Sequence, residues 1–260
     1  MKKSIAILWL FVFALLTGCA AKKTNETIIT ETDIEFTETD IEFVSWAFDK
    51  KRVGYADYSL FTLTPAAAAR NPRLNDLINT LLYEGQTARE YVEEERQMWE
   101  EYLTQGTTYK IRPYKMAYVG GSHEICHTWE MRGKYLLLKE EERGGGGSSY
   151  EYIESYIIDT ALVKRLTIDD IIIVSELFEF LWSRMLAQAQ ADDWPLELDI
   201  FYRTLEKRSF AILFEGSNIV FRWDEGSLAA NAFGAFEVSF QRSELLPYLT
   251  NTGREIVDGF

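Results

Sequence analysis

The apolar residues of this chain change their period from segment to segment, and each change predicts a different secondary structure. From Tyr55 to Thr64 aromatic and β-branched residues run up to Pro65, which suits a strand. After Asn71-Pro72 the residues Leu74, Leu77, Ile78, Leu81 and Leu82 fall on one helical face, and Ala88, Tyr91, Val92, Trp99, Tyr102 and Leu103 continue the period past Gly85. This predicts two helices, or one interrupted at Gly85. Glu95 lies close to the apolar stripe, whereas Glu93, Glu94, Glu100 and Glu101 read as a solvated face. Between Thr107 and Lys139 the pattern becomes strand-like, with turn signals at Gly120-Gly121 and Gly133, and Tyr150 to Asp159 reads as a further strand.

Thr167 with Asp170 three residues on makes a capping-box-like start for the clearest helix, in which Ile171, Val174, Phe178, Leu181 and Met185 form a stripe of period near 3.6. That helix should cross a sheet face, with Phe178 and Trp182 as core residues. Pro195 closes the helical region, and three strands are expected after it: Arg208 to Phe214, Asn218 to Trp223 and Ala235 to Phe240. Glu215-Gly216-Ser217 suits a tight hairpin turn between the first two. This order of elements with hairpin-length links predicts an α+β fold, mainly an antiparallel sheet with helices packed on one face.

The N-terminus follows a different logic. Lys2 and Lys3 precede an apolar run from Ile5 to Leu16, too short for a comfortable bilayer span, which ends in Leu16-Thr17-Gly18-Cys19. That tetrad resembles the lipobox of bacterial lipoproteins, which implies a signal peptide at 1–19, lipidation of Cys19 and a membrane anchor through it; an ordinary signal peptide with an incidental Cys is the alternative. Ala20, where an Asp would signal retention, points to the outer membrane. Residues 20–45 are polar and Thr/Glu-rich and are expected to be a flexible tether before an α+β domain at 46–260. The tether contains a tandem heptapeptide, Thr-Glu-Thr-Asp-Ile-Glu-Phe, at 30–36 and again at 37–43. Ile34/Phe36 and Ile41/Phe43 could add an edge strand, but a spacer is the reading taken.

Composition narrows the partners. The formal charge of −14 becomes two units more negative once Lys2 and Lys3 leave with the leader. Phosphate backbones call for clustered Lys and Arg, so no nucleic-acid partner is expected, whereas a cationic protein would be attracted. With Cys19 acylated, Cys126 is the only remaining thiol, and core packing must supply the stability without an internal disulfide.

Candidate chemistry centres on His123-Glu124-Ile125-Cys126-His127, which matches H-E-x-x-H and contains both histidines of the chain. On a helix the two imidazoles would bind zinc and Glu124 would activate a water, the basis for an alternative reading as a zinc metallohydrolase. On a strand His123, Ile125, His127, Trp129 and Met131 share one face and Glu124 the other, so Glu124 could not serve the metal. The alternation favours the strand, with no catalytic residue, metal or cofactor expected. Cys126 reads as a small packed residue rather than a nucleophile. The glycines at 144–147 with Ser148 and Ser149 read as a turn rather than a phosphate cradle, since the Lys of a P-loop is missing.

In the second half Asp159-Thr160, Leu166-Thr167-Ile168-Asp169-Asp170-Ile171, Asn218-Ile219-Val220-Phe221-Arg222-Trp223, Glu237-Val238-Ser239-Phe240 and Ser243-Glu244-Leu245-Leu246-Pro247-Tyr248-Leu249 resemble the extracellular domain of RsiV-like anti-sigma factors. Similar domains precede peptidoglycan deacetylase domains and occur in many bacterial lipoproteins. The resemblance covers roughly Tyr55 to Leu249 and is densest at about 150–250. Where the family often carries Gly-Gly-Ala-His, this chain has Gly146-Gly147-Ser148-Ser149. The resemblance implies a non-catalytic α+β module of the cell envelope, which in the anti-sigma factors recognises lysozyme, a basic protein. Lysozyme or peptidoglycan is therefore the expected partner class, while signalling and deacetylation are not carried over. Replacing Cys19 with Ser is expected to abolish lipid labelling and release the protein from the membrane fraction; unchanged labelling by a radioactive fatty acid would refute the anchor.

Overall fold

A computed structural model describes residues 37–50, 54–105, 110–112, 115–116, 122–145, 149–229 and 234–259. The expected leader with Cys19, the residue Ala20, the first heptapeptide copy, Gly120-Gly121 and Gly146 to Ser148 lie outside them. The aromatic run predicted as a strand is β2 (Gly54–Leu63), paired antiparallel with β1 (Ile41–Lys50). This corrects the expected boundary at 45: residues 41–45, assigned to the tether, form part of an edge strand. Pairing satisfies the outer backbone edge of β2 and lets Ile41 and Val44 pack on its core, a stabilisation that a free spacer would forgo.

Local chemistry then sets three helices. Thr64 accepts a hydrogen bond from the Ala67 N–H and Pro65 opens α1 (Pro65–Arg70). Pro72 opens α2 (Pro72–Tyr83), which ends where Glu84 and Gly85 turn to positive φ, and α3 (Ala88–Gln105) follows. Two helices, not one, therefore cover this face. A short ladder of β3 (Lys110–Arg112) and β4 (Lys115–Met116) leads to β5 (Ser122–Arg132), β6 (Tyr135–Gly145), β7 (Ser149–Asp159) and β8 (Lys164–Leu166). The large sheet has the order β1-β2-β5-β6-β7-β8 and is antiparallel except between β2 and β5.

The capping box forms as predicted: Thr167 and Asp170 bond reciprocally at the start of α4 (Ile168–Ile171). The helix does not continue through Val174 as one piece, however. Ile172 is extended and bridges Leu249, while the Ile173 N–H donates to the Tyr248 carbonyl. The chain resumes as α5 (Val174–Ala191), whose buried stripe is Leu177, Leu181, Met185 and Ala189, so Phe178 lies beside the core rather than in its centre. Pro195 does not end the helical region either. α6 (Leu198–Lys207) follows three residues later, burying Phe201, Thr204 and Leu205, and Arg208, expected to open a strand, closes this helix at φ 57°.

The last part is a three-stranded antiparallel sheet of β9 (Ala211–Glu215), β10 (Asn218–Trp223) and β11 (Phe236–Gln241), then α7 (Arg242–Leu245), a 3-10 turn at Leu246–Tyr248 and α8 (Asn251–Asp258). The architecture is thus α+β with mainly antiparallel pairing. One core lies between α1–α3 and the large sheet, with Leu74, Ile78 and Trp99 against Tyr58, Leu136 and Ile158. A second joins α5, α6 and α8 to the small sheet and to Tyr135, Leu137 and Ile157. Arg222 on β10, 5% exposed, ties the two sheets through Glu151 on β7 (2.7 Å), with Asp224 and Glu237 completing its shell. Phe201 is fully buried against Phe178, Trp182 and Trp223, so Phe201→Ala should lower the urea-unfolding free energy by about 3–5 kcal/mol.

Candidate functional site

The segment 123–127 is extended throughout, in the middle of β5. His123, Ile125 and His127 face the layer of α1–α3 and are buried, while Glu124 and Cys126 project from the opposite face. The helical zinc motif does not form, because its glutamate and histidines lie on opposite sides of the sheet. Among the described residues no group of three or more His, Cys, Asp or Glu is arranged to hold a metal ion. Cys126, expected to be packed, is instead exposed on that face; partial desolvation, then Glu141 opposite it, pushes its thiol up, away from the thiolate a nucleophile requires.

What the histidines do is set by strand geometry. The parallel ladder between β2 and β5 ends at Ser59–Cys126, leaving Phe61 without a strand partner on that side. The Phe61 N–H donates to His127 Nδ1 (3.1 Å), and the Tyr83 hydroxyl from α2 donates to the Phe61 carbonyl. Because Nδ1 accepts, Nε2 carries the proton and donates to Glu140 (2.9 Å), the residue directly opposite on β6. One imidazole therefore substitutes for a missing strand and gives a partly buried carboxylate a hydrogen-bond donor.

His123 belongs to a longer chain of bonds. Tyr58 donates its single proton to Glu95 on α3 (2.9 Å), so His123 Nδ1 (2.8 Å) and Trp99 Nε1 (3.4 Å) both donate to the Tyr58 oxygen. His123 Nε2 meets Glu142 Oε1 at 3.1 Å, and Tyr150 donates to the same oxygen (3.3 Å). Burial, then the charge of Glu95, holds the Tyr58 phenol far above its ordinary value; burial, then Glu142, does the same for Tyr150, so both stay neutral donors. Gly144 makes the last contact: a Cβ there would lie 2.4 Å from the ring of Tyr150, its cross-strand neighbour.

Sequence reasoning placed the histidines on one strand face and Glu95 beside the helical stripe, but it missed Glu140, Glu142, Tyr58, Tyr83 and Tyr150. The signal was present in β6, where Leu136, Leu138, Glu140 and Glu142 continue one alternating face from apolar into acidic residues. Two clefts of about 620 Å³ lie away from this network. One, between β7, β8, α4 and β9, contains Ser155, Arg165, Arg208 and Asp224; the other flanks α6 with Arg203 and Lys207. Burial raises the Asp224 carboxyl even though the Ile153 N–H and Arg222 bond to it.

If His127 is a substitute strand partner, His127→Leu should cost roughly 2–4 kcal/mol by leaving Glu140 and the Phe61 N–H unpaired. Glu124→Gln should change stability by less than about 0.5 kcal/mol. Equal losses in urea denaturation would contradict this division of roles.

No protein-family model matches the sequence, and no curated protein matches it. Solved structures do. A DUF3298-family protein from Bacteroides fragilis superposes with a TM-score of 0.53 at 12% identity, covering 83% of this chain and 96% of its own. A DUF3298-family protein from Pseudomonas aeruginosa gives 0.51 at 13% identity, covering 82% and 97%. At such identities the likeness concerns architecture: this chain has the fold of the DUF3298 proteins of these two bacteria.

Proposed function

We propose that this chain is a non-catalytic, lipid-anchored binding or structural module of the bacterial cell envelope, held at the outer membrane through Cys19 and contacting a basic envelope-active protein such as lysozyme, or peptidoglycan. The observation that carries the non-catalytic part is the use of all four imidazole nitrogens. His123 and His127 are spent on Tyr58, Glu142, Phe61 and Glu140 inside the domain. The most catalytic-looking motif of the sequence thus acts in packing, and a buried, fully engaged cluster has no face to offer a substrate.

Support for the envelope setting comes from the leader and its lipobox-like end, and the likeness to bacterial DUF3298 structures is compatible with it. The acidic balance of 41 Asp and Glu against 27 Lys and Arg supports a basic partner. Among the described residues no helix is long and apolar enough to cross a membrane.

Purified protein should bind immobilised lysozyme or peptidoglycan with an affinity that falls as salt rises from about 50 to 500 mM, since exposed charges are screened over this range. Absence of binding to both would remove this partner class. Preparation with zinc present should leave less than about a tenth of an equivalent bound, because the motif lacks the three protein ligands of a catalytic site.

A further inference from the structure

The tandem heptapeptide is not explained by the fold or by the proposed role. Its second copy, Thr37–Phe43, is seated on the domain. The Thr37 N–H (3.0 Å) and hydroxyl (3.2 Å) donate to the buried Asp40 carboxylate, which also pairs with Arg70 of α1, and the Thr64 N–H donates to the Asp40 carbonyl (2.8 Å). Ile41, Glu42 and Phe43 lie opposite Leu63, Thr62 and Phe61; Glu42 accepts from Arg89 of α3 (2.9 Å), and the Phe43 ring meets that of Phe61 edge-on. The first copy is identical residue for residue. Thr30, Asp33, Ile34, Glu35 and Phe36 repeat every side chain that makes these contacts.

From this identity we infer that the seat on β2, Arg70 and Arg89 accepts either copy, so that the chain upstream of the domain exists in two lengths. With the first copy seated, residues 37–43 form a loop whose ends are one strand position apart, and Val44 onward keeps its place. The seven-residue loop carries a closure cost that seating the second copy does not, so this state is the minor one of the two. Sliding the whole strand by seven residues is a different matter. It would put Thr39 and Ile41 where Trp46 stacks on Tyr58 (5.5 Å) and Phe48 on Trp99 (5.6 Å). Those aromatic contacts pin 44–50 and confine the exchange to the repeat. Seating the first copy shortens the segment between Cys19 and the domain by seven residues, about 25 Å of extended chain. The use of that difference in length rests on the proposed attachment at Cys19; the exchange itself does not.

Disulfide trapping in the full chain carrying Cys126→Ser tests this. Glu42→Cys with Thr62→Cys joins residues that face each other across the ladder. Glu35→Cys with Thr62→Cys should also close an intramolecular disulfide, on the order of ten- to a hundredfold more slowly. A Glu31→Cys, Thr62→Cys pair sets the background. A 35–62 crosslink no faster than that background, or one formed only between two chains, would overturn the proposal. Hydrogen exchange needs no substitution at β2: deleting one heptapeptide leaves a single copy joined to Val44. The amide of Glu42, which faces β2 in a hydrogen-bonded pair with Thr62, should then exchange at least about tenfold more slowly than in the two-copy protein, with Trp46 and Phe48 unchanged. Equal rates in both proteins would refute the exchange.

Discussion

A β-strand that ends or splays inside a protein leaves backbone N–H and C=O groups that must find partners, and this fold depends on how side chains meet that demand. At the seam between β2 and β5, His127 and Tyr83 take the N–H and carbonyl of Phe61 once the parallel ladder stops. Between β7 and the small sheet, Asp224 at the end of β10 accepts from the Ile153 N–H (3.1 Å) and Ser155 accepts from the Ile212 N–H of β9 (3.3 Å), joining two sheets that share no ladder. Between α4 and α8, the Thr250 N–H and hydroxyl bond to the carbonyls of Ile171 and Asp170. α8 can approach there because residue 253 is glycine: a Cβ would lie 2.2 Å from the Ile171 carbonyl oxygen.

These seams explain why polar residues in the interior are arranged as they are. A half-satisfied buried network is worse than an apolar one, so each member recruits a further partner until the chain of bonds reaches a neutral end or a charge pair. In the β5–β6 network that requirement links Glu95, Tyr58, His123, Glu142 and Tyr150 across α3, β2, β5, β6 and β7. Five elements are held in register by five side chains, which gives specificity to a face whose apolar residues alone would tolerate sliding. Arg222 plays the corresponding part between the sheets, where Glu151, Asp224 and Glu237 surround one buried guanidinium.

Function follows from what these commitments leave over. The two histidines, which in another backbone would be metal ligands, are internal struts. The proposed partner contact rests instead on the acidic balance of the sequence. The paired heptapeptide connects the two ends of that picture, because one copy is part of the sheet while its duplicate lies in the chain before it.

Where a signal is local, the amino-acid sequence alone was decisive. Apolar, aromatic and β-branched runs placed β2, β7, β10 and β11, alternation placed β5, the Thr167–Asp170 capping box marked the start of α4, and the parity of a strand put Glu124 on the wrong side of its histidines. The closing strand and helical turn expected from the RsiV-like resemblance correspond to β11, α7 and the turn at Leu246–Tyr248. Tertiary contacts decided the rest. The helix predicted from Thr167 breaks at Ile172 because residues 248–250, far along the chain, compete for its backbone. α6 was hidden because Pro195 stops one helix and says nothing about the next, and because its buried face is only Phe201, Thr204 and Leu205. Residues 41–45 look like polar tether until β2 offers them an edge to pair with. The partners of His123 and His127 come from β2, α2, α3, β6 and β7. No spacing within β5 encodes them, since which acids and phenols meet an imidazole depends on how separate elements pack, and periodicity reports only the face each residue occupies.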